Sequence, residues 1–245
     1  MNLLIIQARM GSSRLPGKVL KKIQGKTILA ILLERVLLAK RVDKVVVATT
    51  FKKIDRAIVD FCKKHKFNYF CGSEKDVLKR YYDCATKFNG NTIIRVTSDC
   101  PLVDPAVIDK TIELFYKKKV DYAANTIPPH SRKWPDGSDV EVFSMKALKK
   151  CYLRARNEQR EHVTFYLWKS KPLFKIAQLK NKQDWSKYRY TIDYQEDLSR
   201  LEKIVKVLRK KNIFGNTQDI VNIINDKIEE KTIDKKFSFG YGWKK

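Results

Sequence analysis

No stretch of the chain approaches the roughly 18–20 consecutive apolar residues of a membrane-spanning helix, so no membrane partner is expected. The opening Leu3-Leu4-Ile5-Ile6 has no basic n-region before it and no small-residue cleavage site after it, and no signal peptide is expected. Cysteine is sparse: Cys62, Cys71, Cys84, Cys100 and Cys151 form no C-x-x-C pair and have no histidine at metal-ligand spacing. Neither a disulfide framework nor a structural zinc site is therefore expected, and reduced thiols in a cytoplasmic protein are. No internal repeat, low-complexity block or Pro/Gly/Ser-rich linker divides the sequence, so residues 1–245 are read as one domain. Acidic residues are also in deficit, 27 against 52 Lys and Arg, giving a formal charge of +25. Such an excess attracts any polyanion. Here the lysines are spread along the whole chain and no RNP, KH or helix-turn-helix signature accompanies them, so no nucleic-acid partner is expected.

What is present is an alternation of short apolar strands with helical patterns. Leu3–Ile6, Val45–Ala48, Tyr69-Phe70 and Ile93–Val96 read as strands. Helical spacing begins at Ile28, with Thr27 as N-cap, and recurs over 55–64, 76–88 and 105–118, the last with Pro105 in its first turn. Continuous apolar strands alternating with helices predict a mostly parallel sheet covered on both faces. Ligands bind such sheets at the carboxyl ends of the strands, so loops 7–18, 71–76 and 97–104 should converge. Beyond about residue 125 the pattern changes. Residues 126–138 hold three of the seven prolines and read as an exposed loop or flap. Residues 139–143, 174–177 and 188–192 read as strands, and 144–166, 196–210 and 217–228 as helical. The aromatic tail 237–243 is expected to pack back on the core.

Three segments carry chemistry. The first, Gln7-Ala8-Arg9-Met10-Gly11-Ser12-Ser13-Arg14-Leu15-Pro16-Gly17-Lys18, follows the first strand directly. It combines backbone amides with three cations, which is what a triphosphate requires. It is not a Walker A loop: Gly11 to Gly17-Lys18 is one residue too long, and Val19 stands where a Mg²⁺-binding hydroxyl belongs. The second segment, Thr97-Ser98-Asp99-Cys100-Pro101, places a carboxylate just past the fourth strand, where it reads either as an oxygen ligand for Mg²⁺ or as a turn residue before proline. The third is Asp193-Tyr194-Gln195-Glu196-Asp197. Glu196 and Asp197 suit a helix N-terminus for dipole reasons alone, which leaves Asp193 as the better metal candidate.

Taken with Gly72–Tyr81, Asp136–Val142 and Arg160-Glu161-His162-Val163-Thr164, these segments resemble, in the same order from residue 3 to about 200, the spore-coat polysaccharide SpsF family of cytidylyltransferase-like proteins. That family is in turn similar to the CMP-Kdo and CMP-sialic acid synthetases. The resemblance implies a GT-A-like, Rossmann-related sheet of the nucleotide-diphospho-sugar transferase fold. It implies Mg²⁺-dependent transfer of a nucleoside monophosphate, CMP from CTP by family likeness, to a sugar, sugar phosphate or related acidic acceptor in surface polysaccharide or glycan precursor synthesis, with release of pyrophosphate. By the same likeness Arg9, Lys18 and Asp99 are catalytic and Asp99 and Asp193 hold Mg²⁺. Gln7, Ala8, Gly11, Ser12, Arg14, Gly72, Ser73, Arg80, Thr97 and Ser98 join Arg9 and Lys18 in binding the nucleotide. Asp139, Glu141, Arg160 and His162 face the acceptor or a homodimer interface within the subregion 126–180. Gln195 departs from the family pattern, where proline is common, and the Pro-Pro-His of the 126–135 loop is peculiar to this chain. Two other functions compete: a GT-A glycosyltransferase, which needs a metal-binding D-x-D absent at Asp219-Ile220-Val221, and a basic nucleic-acid-binding protein.

Overall fold

Leu4 and Ile6 of the first strand face one side of a sheet and Leu3 and Ile5 the other, and both sides are covered. In the computed structural model, which describes residues 1–228, that strand, β1 (Asn2–Gln7), is an interior strand, third in a sheet of seven. A small hairpin, β2 (Lys22–Ile23) and β3 (Lys26–Thr27), leads into α1 (Ile28–Val36), whose N-cap Thr27 accepts a hydrogen bond from Ala30 N at 3.1 Å. Then follow β4 (Lys44–Thr50), α2 (Arg56–Lys64), β5 (Asn68–Gly72), α3 (Val77–Lys87), β6 (Thr92–Thr97), α4 (Pro105–Lys118) and β7 (Tyr122–Ala124). The remaining elements are β8 (Glu141–Ser144), α5 (Met145–Arg154), α6 (Glu158–Glu161), α7 (Phe165–Lys169), β9 (Ile176–Gln178), α8 (Gln195–Lys210) and α9 (Thr217–Lys227).

The sheet order is β5-β4-β1-β6-β8-β7-β9. The first four strands are parallel, β8 runs against both β6 and β7, and β9 is parallel to β7. A mostly parallel sheet with both faces buried is the expected architecture. Each fully buried Leu or Ile contributes about 1.5–3 kcal/mol of burial, and β1 supplies four of them. A third cluster joins the start of α1 (Ile28, Ile31) and the hairpin (Ile23) to α8 and α9 (Leu201, Ile204, Ile220, Ile224), and so draws the C-terminal helices over the β1 loop.

Three expectations need correction. Residues 188–192 form no ladder strand; Arg189 makes one isolated bridge to Asp136. The alternation that suggested a strand arises because Tyr188, Tyr190 and Ile192 insert into the third cluster while Arg189, Thr191 and Asp193 point the other way. The loop 126–138 is exposed only around His130 and Ser131 and at Lys133; Ile127, Trp134, Gly137 and Ser138 are buried, and Trp134 Nε1 donates to Leu179 O at 2.7 Å. The helical region after residue 144 is three short helices. Two elements had no sequence signal, the hairpin and β7, which is a three-residue strand containing two alanines, created by its neighbours β8 and β9. The aromatic tail lies outside the described residues.

Candidate active site

The three loops expected to converge do so at the carboxyl ends of β1, β4, β5 and β6. The chain leaves β1 through Ala8, whose amide is held by Ala48 O at 3.1 Å, while Ser98 N bonds Gln7 O at 3.1 Å. Gly17, at φ +68°, donates to Met10 O at 2.9 Å and closes the loop on itself. Buried Asp55 anchors it from the β4 side: Met10 N donates to Asp55 Oδ1 at 2.6 Å and Thr50 Oγ1 donates to Asp55 Oδ2. Ser12 Oγ accepts from Leu15 N at 3.3 Å and Gly11 stands in open space.

Lys18 emerges from this loop into the interior, 8% exposed. Its Nζ lies 2.5 Å from Ile192 O, 3.3 Å from Asp99 Oδ2 and 3.2 Å from Asp193 Oδ1. Two aspartates 94 residues apart in sequence thus meet at one ammonium. The register that brings them there is a pair of bonds to the Asp99 carbonyl, from Ile192 N at 2.9 Å and Thr191 Oγ1 at 3.0 Å. Burial alone would lower the Lys18 ammonium, but Asp99 and Asp193 outweigh it and hold it above the ordinary lysine value. Burial pushes the Asp99 carboxyl up; the charge of Lys18 and the Thr97 hydroxyl outweigh that and bring it down to about 2. Arg14 Nη2 donates to Asp193 Oδ1 at 2.6 Å. Arg9 is half-buried and takes part in no ion pair or hydrogen bond among the described residues.

On the β5 side, Gly72 and Ser73 pack against α3. A Cβ on Gly72 would come within 2.8 Å of Arg80 Cγ, so glycine lets the Arg80 side chain cross there. Arg80 is fully buried; its Nη1 donates to Ser73 O at 2.8 Å, and among the described residues its Nε and Nη2 have no hydrogen-bond partner, nor has Gln7 Oε1. Such orphaned buried groups are rare and point to a missing ligand or water.

The residues expected near an acceptor or an interface each have partners within the chain. Asp139 is held by Thr126 Oγ1 at 2.7 Å and Gly137 N at 2.9 Å, with Cys100 Sγ lying 3.7 Å from both it and Asp99. Glu141 is buried and accepts from Arg95 Nη1 at 3.0 Å. Arg160 pairs with Asp76. All three of its guanidinium nitrogens are engaged, Nε and Nη2 by Asp76 Oδ2 at 2.8 and 2.7 Å and Nη1 by Tyr152 O and Ala155 O at 2.9 and 3.2 Å. It therefore braces the 72–76 loop. His162 stacks on Phe165 with ring centroids 4.2 Å apart, and burial lowers its imidazole.

Sequence reasoning gave no role to Asp55, Arg95, Arg189 or Asp136, although Asp136 opens one of the segments that carry the resemblance. Arg189 contacts Asp193 and Asp197, which the sequence singled out, but its pairing with Asp136, 53 positions away, leaves no local signal. Asp197, read as a helix-dipole residue, does serve the N-terminus of α8, accepting from Asp193 N and Tyr194 N at 2.8 and 2.9 Å.

A central parallel sheet, a glycine- and cation-bearing loop after its first strand and two carboxylates across from that loop define a nucleotidyltransferase of the nucleotide-diphospho-sugar transferase fold. Residues 3–221 match the family model described as Cytidylyltransferase, and the chain belongs to that family. It is similar to the spore coat polysaccharide biosynthesis protein SpsF of Bacillus subtilis, 34% identical over 210 residues that cover 82% of this chain and 85% of that protein. Among solved structures it is similar to a cytidylyltransferase from Leptospira borgpetersenii, with a TM-score of 0.88 and 34% identity, covering 95% of this chain and 98% of that one. A CMP:2-keto-3-deoxy-manno-octonic acid synthetase complexed with CTP shares the fold at a TM-score of 0.62 and 16% identity, over 86% of this chain and 99% of that one.

Proposed function

We propose that the enzyme transfers CMP from CTP to a sugar, sugar-acid or sugar-phosphate acceptor in polysaccharide precursor synthesis, in the cytoplasm and as a homodimer. The observation that carries this reading is the position of Lys18 Nζ between Asp99 and Asp193, beneath the cationic loop. The choice of CTP and of a sugar acceptor is supported by family membership and by what SpsF and the synthetase bound to CTP are described as doing.

An acceptor oxygen attacks the α-phosphorus, the bond from that phosphorus to the bridging oxygen of the β-phosphate breaks, and the electron pair leaves with pyrophosphate. Arg9, unpaired among the described residues, and Arg14 and Lys18, in the same loop, supply charge to the β- and γ-phosphates and to the departing pyrophosphate. The Gly11–Ser13 amides line the same loop. Asp99 and Asp193 suit a divalent cation, because the ammonium already between them shows that two carboxylate oxygens face one point. Mg²⁺ is held elsewhere by one or two carboxylates plus substrate phosphates, and when bound it supplies charge neutralisation at the reacting oxygens. The remaining work is positioning, with Gln7, Thr97, Ser98 and the 72–80 segment oriented towards the nucleoside.

Pyrophosphate release with CTP, GTP, UTP and ATP, plus Mg²⁺, against a panel of sugar phosphates and ulosonic acids tests the reading. CTP alone should support acceptor-dependent release. Asp99→Asn should lower it by about 10²–10³-fold while the protein stays folded. Release at the wild-type rate by that variant removes Asp99 from the mechanism, and equal use of all four triphosphates removes the CTP assignment. Sedimentation velocity decides the homodimer.

A further inference from the structure

The proposed chemistry leaves unused a buried guanidinium that grips one of its carboxylates. Arg189 is 6% exposed. Its Nη1 donates to Asp136, and its Nη2 reaches Asp193 Oδ2 at 3.0 Å and Asp197 Oδ2 at 3.2 Å. Asp197, 2% exposed, accepts in turn from the backbone amides of Asp193 and Tyr194 and is approached by Arg200 at 3.4 Å. Asp193 is therefore held twice, at its main chain by Asp197 and at Oδ2 by Arg189. Its other oxygen, Oδ1, is the one that meets Arg14 and Lys18.

This division of oxygens matters because the terminal torsion of an aspartate is broad and does not fix which oxygen faces a ligand. A charge-assisted bond to a buried guanidinium is about twice as strong as a neutral one, and it breaks that equivalence. The fork of Arg189 is fixed in turn by Asp136, which the 134–139 loop presses against the 188–193 segment: a Cβ on Gly137 would stand 2.5 Å from Thr191 N. Asp136 lies on a different segment of chain, bridged to Arg189 by its backbone, so the network ties the 134–139 loop to the Asp193 side of the site.

We propose that Arg189 is a positioning residue for the transfer reaction: anchored by Asp136 and Asp197, it holds Asp193 Oδ2 and so aims Oδ1 at the point shared with Asp99 and Lys18. The inference rests on the reading of Asp193 as a metal-binding carboxylate. Arg189 touches neither nucleotide nor acceptor in this scheme, and its effect passes entirely through Asp193.

Mn²⁺ uptake in the presence of CTP and absence of acceptor, read by electron paramagnetic resonance, tests this on the wild type, Arg189→Ala and Arg189→Lys, with folding checked by circular dichroism and thermal melting. Loss of a residue that orients a metal ligand weakens metal affinity by about 10–100-fold. That loss is expected for Arg189→Ala, with recovery on adding guanidinium chloride but not sodium chloride at the same concentration. Arg189→Lys keeps the charge but loses the fork, and should also bind Mn²⁺ at least about tenfold more weakly. Wild-type affinity in a folded Arg189 variant, or a loss that guanidinium does not relieve, overturns the inference alone. No Mn²⁺ uptake by the wild type overturns it together with the reading of Asp99 and Asp193. If both Arg189 variants fail to fold, Asp136→Asn decides on the same readout: weakened uptake supports the anchor, and unchanged uptake overturns it.

Discussion

Arg14 and Lys18 are both paired with Asp193, at 2.6 and 3.2 Å, so a triphosphate gains these cations only by taking them from a carboxylate. A divalent cation placed on Asp99 and Asp193 compensates the carboxylates that are left. On the proposed reading of Asp99 and Asp193 as metal-binding carboxylates, nucleotide and metal binding are coupled, each relieving the charge the other leaves unpaired. The consequence for Asp193→Asn is counterintuitive. In chelator, with no divalent metal, the variant should bind CTP more tightly than the wild type, because Arg14 no longer has a competing anion. A partly exposed ion pair is worth about 0.2–1 kcal/mol, which corresponds to at most about fivefold in affinity. Titration calorimetry in EDTA measures it, and equal or weaker binding by the variant rules out the exchange. At this scale the loop cations and Asp99 were legible in the sequence because they sit in the segments that follow β1 and β6, and Asp193 because it stands just before a helix start. Arg189 was not, since nothing local distinguishes it from the other charges of a Lys- and Arg-rich chain, and its pairing with Asp136 spans 53 positions.

Elements differ in how firmly the surrounding structure holds them, and two glycines show it. Gly137 has φ +106°, and a Cβ there would stand 2.5 Å from Thr191 N and 2.7 Å from Tyr190 C, both backbone atoms that cannot swing aside. Gly137→Ala combines backbone strain with overpacking, each costing about 1–3 kcal/mol. It should lower stability by at least about 2 kcal/mol and spread the 134–139 loop from the 188–193 segment. Gly11, in the cationic loop, has nothing within 4 Å of such a Cβ, and Gly11→Ala should change stability by no more than about 0.5 kcal/mol. Chemical denaturation of the two variants side by side checks the contrast; similar losses would mean that the loop–segment contact is not what the structure describes. The parallel strands and their helices could be read from periodicity because each buries a continuous apolar run. The 188–192 segment misled because alternation marks burial on one side, and α8 and α9 bury Tyr188, Tyr190 and Ile192 without any strand partner.

For the molecule as a whole, the partly buried Lys18–Asp99–Asp193 cluster links the N-terminal loop to the C-terminal helices and makes their union depend on pH. The Asp99 carboxyl titrates at about 2 in the folded protein, against roughly 3.9 in an unfolded chain. Because the folded value is the lower one, the contribution is present above about pH 4 and disappears as pH falls towards 2. Lys18 is raised, so its share is complete below its unfolded value, near 10.5, and is lost only as pH climbs beyond that. Melting temperature, measured from pH 6 down to pH 2 without nucleotide or metal, should fall less steeply for Asp99→Asn than for the wild type. Parallel curves would show that Asp99 does not carry this linkage.

The sequence by itself determined the alternating α/β order, the covered parallel sheet, the family resemblance and the short loop that holds Arg9, Arg14 and Lys18, because periodicity and a contiguous motif are local properties. Only the tertiary structure decided that Arg160 braces Asp76, that Arg189 joins Asp136, Asp193 and Asp197, and that Asp99 and Asp193 meet at Lys18 Nζ. Apart from the contacts of Arg189 with Asp193 and Asp197, four and eight residues away, those pairings span 53 to 175 residues. The meeting at Lys18 depends on a third apolar cluster folding α8 and α9 back over the first loop, and on hydrogen bonds to the Asp99 carbonyl that set the register.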